Sequence, residues 1–125
     1  MDPTIIVVDD DASIVNLLKE NLEQQGYKVL EGYDGQAALH LAKTSKPQLI
    51  ILDINMPLIN GLKALEHLRG LEETKAIPIL FLSGEASARV APAVTEMSRV
   101  AYVKKPIDLD DLNSLVRTLI EKYPT

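Results

Sequence analysis

The chain has 125 residues, about one domain's worth, with 46% hydrophobic and 25% charged side chains; this is the balance of a folded globular protein, not a disordered one. Its net charge of −5 argues against nucleic acid as a direct partner, because nothing offsets phosphate repulsion. It contains no cysteine, which excludes disulfide frameworks and thiolate metal sites and fits a reducing compartment.

Met1-Asp2-Pro3 leads straight into a strand-length apolar run, with no basic leader and no long apolar core of a signal peptide. No apolar segment approaches the ~20 residues that span a bilayer. A cytoplasmic protein without a membrane partner is expected. Thr4-Ile5-Ile6-Val7-Val8 reads as a first strand buried on both faces, and it runs into Asp9-Asp10-Asp11. Ile14, Leu17, Leu18 and Leu22 then recur at helical spacing, with Asp11 placed to cap the helix and Gly26 to stop it. Tyr27 to Leu30 is a short second strand. Asp34-Gly35 makes a turn, and Ala37, Ala38, Leu41 and Ala42 form a small-residue helical face that ends before Pro47.

Leu49-Ile50-Ile51-Leu52 reads as a central parallel strand ending in Asp53 ahead of Pro57, which cannot donate to a sheet ladder. Asn60-Gly61 turns the chain into a third helix whose apolar face is Leu62, Leu65 and Leu68, ending near Gly70. Leu71 to Ala76 is a polar connection. Ile77 to Leu82 is a fourth strand closed by Ser83-Gly84, with Pro78 tolerable near its start. In the segment 85–99, Val90, Val94 and Met97 make a helical face interrupted by Pro92, so a short, late-starting or kinked helix is expected. Val100 to Val103 is a fifth strand ending at Lys104-Lys105-Pro106. The last helix has Asp108 as its cap and Leu112, Leu115, Val116 and Leu119 as its buried stripe.

Strand and helix thus alternate five times at short spacing. The pattern predicts one α/β domain over 1–125, a doubly wound five-stranded parallel sheet with helices on both faces. In such a sheet the carboxyl ends of all strands lie on one edge, where binding crevices form. Strand one ends in Asp9 and Asp10, strand three in Asp53, strand four in Ser83 and strand five in Lys105. Clustered carboxylates repel, so they need positive charge. Lys105 brings one, and a hard divalent ion such as Mg²⁺ would bring the remainder through carboxylates, a carbonyl and waters. A carboxylate in that setting can act as a nucleophile and form an aspartyl phosphate.

Plainer roles exist for each residue. Asp9, Asp10 and Asp11 can cap a helix, Ser83 beside Gly84 can make a turn, Lys105 can be a surface lysine and Tyr102 a packing residue. His40 and His67 lie on amphipathic helices without metal-like or triad-like partners and read as surface residues.

In order and spacing, Val7-Val8-Asp9-Asp10, Asp34-Gly35-Gln36-Ala37-Ala38, Leu52-Asp53-Ile54-Asn55-Met56-Pro57 with Gly61, Leu82-Ser83-Gly84 and Tyr102-Val103-Lys104-Lys105-Pro106 together resemble the response-regulator receiver domains of two-component signalling. The resemblance covers essentially the whole chain. It implies a flavodoxin-like sheet in the order 2-1-3-4-5. It implies that Asp53 takes a phosphoryl group from a phosphohistidine on a sensor histidine kinase or phosphotransfer protein. It further implies that Asp10 and Asp53 ligate Mg²⁺, with the Asn55 carbonyl as a further ligand and Asp9 helping through water. Lys105 would pair with phosphoryl oxygens, Ser83 would hydrogen-bond one of them, and the Lys105-Pro106 bond would be cis. Tyr102 would report phosphorylation, with Ser83, to the face built from the 85–99 segment, the fifth strand and the last helix.

Two departures stand on that face: no glycine turn in Met97-Ser98-Arg99-Val100, and Pro92 within the expected helix. They keep open a degenerate receiver that binds a partner without phosphorylation. A phosphatase with an aspartate nucleophile is disfavoured, because Asn55 stands where haloacid-dehalogenase-type enzymes keep a proton-shuttling aspartate. The downstream effector, and phosphorylation-dependent homodimerisation through the 85–105 face, stay open.

Overall fold

The computed structural model describes residues 2–56, 60–84 and 99–124. Five parallel strands, β1 (Thr4–Val8), β2 (Lys28–Gly32), β3 (Leu49–Asp53), β4 (Ile79–Ser83) and β5 (Val100–Lys104), form one sheet in the order 2-1-3-4-5. The described helices are α1 (Ala12–Gln24), α2 (Gly35–Ser45), α3 (Gly61–Arg69) and the C-terminal helix α4 (Leu109–Lys122). The helix expected within 85–99 lies outside the described residues, apart from Arg99, and so does Pro57.

Side-chain alternation along the strands divides the core into two layers. Ile6, Val8, Ile50, Leu52, Ile79 and Phe81 pack on one face against Ala38 and Ala42 of α2 and Ala64, Leu65 and Leu68 of α3. Ile5, Val7, Leu49, Ile51, Leu80 and Leu82 pack on the other against Val15, Leu18 and Leu22 of α1 and Leu112, Val116 and Leu119 of α4. Every residue of β3 and of β4 is buried, as strands covered on both faces must be.

The helix starts are where the sequence placed them. Asp11 accepts the Ser13 N–H, Asp34 the Ala37 N–H, Asn60 the Lys63 N–H and Asp108 those of Asp110 and Asp111. Gly26 takes φ 95° after α1, the left-handed conformation that ends a helix cheaply.

Some expectations are corrected. In α1, Val15 is buried and Leu17 is 44% exposed, because Val15, Leu18 and Leu22 follow the three- and four-residue steps of one stripe and Leu17 falls beside it. Ala37, Leu41, Leu62 and Leu115 border their helices' stripes half-buried. Strand β2 is shifted toward Gly32, β4 begins at Ile79 rather than Ile77, and β4 and β5 each end one residue later than expected, so that Ser83 pairs in register with Lys104. Where a glycine turn was missed before β5, Arg99 itself takes φ 63°.

Candidate functional site

The parallel ladder delivers the expected residues to one edge. Asp9 follows the last residue of β1, its N–H still donating to the Gly32 carbonyl of β2 at 3.3 Å, and its side chain is fully buried. Asp10, one residue on, is exposed. Asp53 closes β3 in register with Leu82 of β4 and is 4% exposed. Ser83 closes β4, buried, and its carbonyl accepts the Lys105 N–H at 2.8 Å. That bond extends the β4–β5 ladder by one step and brings the half-buried Lys105 toward Asp9 and Asp53; the Lys105–Pro106 peptide is cis.

Lys105 Nζ lies 3.0 Å from Asp9 Oδ2 and 3.4 Å from Asp53 Oδ2. Two backbone donors fix the other carboxylate oxygens: Asp11 N–H on Asp9 Oδ1 at 2.9 Å, and Asn55 N–H on Asp53 Oδ1 at 3.2 Å. One ammonium between two buried carboxylates leaves a deficit of positive charge. Burial, then the charge of Asp9, pushes the Asp53 carboxyl up to about 6, against the opposing pull of Lys105 and the Asn55 N–H. Burial likewise raises Asp9, with the Asp11 N–H and Lys105 opposing. For Lys105, burial works to lower the pKa, but the two carboxylates outweigh it and hold the ammonium above its ordinary value.

The donor set suits a hard cation. Asp9, Asp10 and Asp53 each offer a carboxylate oxygen, all within 4.8 Å of one another. Asp9 Oδ2 is buried, and among the described residues its one close cationic neighbour is the Lys105 ammonium at 3.0 Å, which it shares with Asp53. Two buried carboxylates that share one ammonium are costly unless more positive charge arrives. Oxygen-only donors with one exposed carboxylate match the preference of Mg²⁺ for a few carboxylates and retained waters.

Asp9, Asp10, Asp53 and Lys105 therefore meet at one end of the sheet, and Ser83 ends β4 on the same edge. Asn55 is exposed beside Asp53, and Tyr102 is half-buried against the layer that holds Phe81, its in-register partner. His40 and His67 are exposed on α2 and α3, as expected. Sequence reasoning missed the approach of Lys105 to Asp9, which is closer than its approach to Asp53. It also missed the seating of Gly61 against Asp53: the Gly61 N–H donates to the Ile54 carbonyl at 2.8 Å. Spacing along the chain carries no signal for either contact, because both join separate elements.

A doubly wound α/β sheet whose switch-point edge holds an acidic trio and a lysine defines a signalling module of the receiver class. Residues 5–117 match the response regulator receiver domain family, and the chain belongs to it. Receiver domains of response regulators are signalling modules of two-component systems and not metabolic enzymes. The chain is 35% identical over 122 residues to the alkaline phosphatase synthesis transcriptional regulatory protein PhoP of Bacillus subtilis (strain 168), covering 98% of this chain and 50% of that protein. It spans about half the length of the first curated relatives it matches. Among solved structures, a putative response regulator from Chloroflexus aurantiacus J-10-fl superposes with a TM-score of 0.89 at 27% identity, covering 97% of this chain and 99% of that one. The chemotaxis protein CheY4 of Vibrio cholerae gives 0.86 at 27% identity, covering 95% and 99%.

Proposed function

We propose that this chain is the phosphorylation-switched receiver of a two-component phosphorelay, cytoplasmic, with Asp53 as the phosphoacceptor. The observation that carries the reading is the setting of Asp53: a carboxylate at the end of a buried strand, 3.4 Å from the Lys105 ammonium and grouped with Asp9 and Asp10. With a pKa of about 6, Asp53 is ionised at neutral pH and able to attack. A carboxylate oxygen of Asp53 forms a bond to the phosphorus of a phosphohistidine on a sensor kinase or phosphotransfer protein. The phosphorus–nitrogen bond breaks, and the imidazole leaves with that electron pair. Lys105 balances charge on the phosphoryl oxygens, and Ser83 offers its hydroxyl to one of them.

Asp10, Asp53 and the Asn55 carbonyl would hold Mg²⁺, with Asp9 contributing through water. The ion supplies positive charge that offsets the carboxylates and the phosphoryl group. Asn55 keeps a proton shuttle away from the acyl phosphate, which favours a lasting switch over turnover. Tyr102, Lys104, Pro106, Asp108, Asp111 and Leu115 line an open groove of about 570 Å³ beside β5 and α4, and the change at Asp53 is relayed to this face through Ser83 and Tyr102.

Incubation with acetyl phosphate and Mg²⁺ tests the reading. Intact mass spectrometry is expected to show one hydroxylamine-labile phosphoryl adduct on the wild type and none on Asp53→Asn. An unmodified wild type would leave a receiver that binds its partner without phosphorylation.

A further inference from the structure

The start of α3 lies closer to the phosphoacceptor than any side chain would allow. A Cβ on Gly61 would stand 2.5 Å from the Asp53 carbonyl oxygen, 2.8 Å from Ile54 Cα and 3.1 Å from the Asp53 carbonyl carbon. All three are backbone atoms, which cannot swing aside as the tip of a flexible side chain can. Among the described glycines only Gly26 has a positive φ, so contact, not backbone conformation, reserves this position for glycine. The Gly61 N–H also donates to the Ile54 carbonyl at 2.8 Å. The first turn of α3 is therefore seated directly on the peptide that joins Asp53 to Ile54.

That peptide sets where the Asp53 carboxylate points. Its near side carries the Asp53 side chain, and its far side leads within one residue to Asn55, whose N–H holds Asp53 Oδ1 at 3.2 Å. We infer that Gly61 is a positioning residue for Asp53: by admitting helix α3 onto the Asp53–Ile54 peptide, it fixes the carboxylate against Lys105 and the neighbouring acids. The inference rests on the phosphoacceptor reading for its consequence, but the placement it describes is a property of the free protein. A methyl group at 61 has to push the peptide or the helix start. A misplacement of even 1 Å in a reacting group costs up to ~100-fold in rate.

Gly70 supplies the control. It caps the other end of α3, and among the described residues a Cβ there would meet only the His67 and Glu66 carbonyl oxygens, at 3.5 and 3.7 Å, ordinary contact distances. The experiment compares wild type, Gly61→Ala and Gly70→Ala in two readouts. The first is the ¹³C resonance of the Asp53 carboxyl in metal-free protein at fixed pH, assigned through its absence in Asp53→Asn. The second is the rate of phosphorylation by acetyl phosphate with Mg²⁺. Gly61→Ala is expected to displace the resonance and slow the rate by ~10- to 100-fold, while Gly70→Ala leaves both as in wild type.

Should Gly61→Ala not fold, Asn60→Ala takes its place. It removes the side-chain cap at the same helix start (Asn60 Oδ1 accepts the Lys63 N–H at 2.9 Å) and is expected to shift both readouts the same way by a smaller amount. A lowered melting temperature with the resonance and rate unchanged would overturn the inference and leave Gly61 a packing glycine. If the wild type takes no phosphoryl group, the phosphoacceptor reading falls, and the resonance alone still decides whether Gly61 positions Asp53.

Discussion

Asp53 and Asp9 are both buried and share a single ammonium, and the free protein carries that imbalance as lost stability. An acid whose folded pKa lies above its unfolded value holds its proton more tightly when folded. For Asp53, about 6 against an ordinary 3.8, the group's contribution is fully present below about pH 4 and is lost as pH rises through about 6. The span corresponds to roughly 1–3 kcal/mol. Asp53→Asn, which keeps the shape and drops the charge, is therefore expected to raise the melting temperature of the metal-free protein at pH 8 and to leave it nearly unchanged at pH 4. Thermal unfolding across that range checks this. An unchanged difference at both ends would mean that Asp53 is not perturbed. Lys105→Met has the opposite sign. It leaves two buried carboxylates without a cation, so it destabilises more at pH 8 than at pH 5, where protonation of Asp53 relieves their repulsion. It is also expected to slow phosphorylation by acetyl phosphate by roughly 100- to 1,000-fold, the usual effect of removing one donor from a developing anion. The identity of these residues was legible from the sequence because each stands at the end of an apolar run, and parallel strands end on one edge. The pairing of Lys105 with Asp9 was not, since it depends on how the chain turns after Ser83 and Lys104.

At the level of elements, the strands and helix starts were readable because their signals are local: uninterrupted apolar runs for β1, β3 and β4, and a short polar acceptor before each described helix. Sequence reasoning put Leu17 in the stripe and left Val15 out because both are apolar, and only packing against β1 and α4 selects between them. Helix α2 tests how far such local signals control stability. At its start Asp34 Oδ1 accepts the Ala37 N–H at 2.8 Å, so Asp34→Ala is expected to destabilise by about 1 kcal/mol. At its end the exposed Lys46 takes φ 49°, a left-handed conformation that costs a side-chain-bearing residue roughly 1–2 kcal/mol. Lys46→Gly removes that strain and gives back part of the gain through greater freedom of the unfolded chain, for a net stabilisation of about 0.5–1 kcal/mol. Urea unfolding of both variants should show midpoints moving in opposite directions, with rates of phosphorylation by acetyl phosphate equal to wild type. A phosphorylation defect in either would mean that α2 acts on the site and not only on the core.

The whole molecule places its charge deficit where a ligand can fill it. A sheet in which every strand runs the same way brings Asp9, Asp10 and Asp53 to one edge, whatever their mutual repulsion, and burial of the core on both faces holds them there. The stability lost at that edge in the free protein is thereby available to favour whatever brings positive charge. Binding to the folded state alone stabilises by about 1.4 kcal/mol when the free ion is at ten times its dissociation constant, enough to move a melting transition by several degrees. Mg²⁺ is thus expected to raise the wild-type melting temperature at pH 8, and a chelator to reverse the gain. At pH 5 the gain should nearly vanish, because Asp53, with a pKa of about 6, is then protonated and the ion must displace that proton. Asp53→Asn and Asp10→Asn should gain little at either pH. The two effects cross: Asp53→Asn is the more stable protein without Mg²⁺ at pH 8, and the wild type closes the difference once the ion is added. Equal gains in wild type and both variants would place the ion elsewhere on an acidic surface and detach it from Asp53.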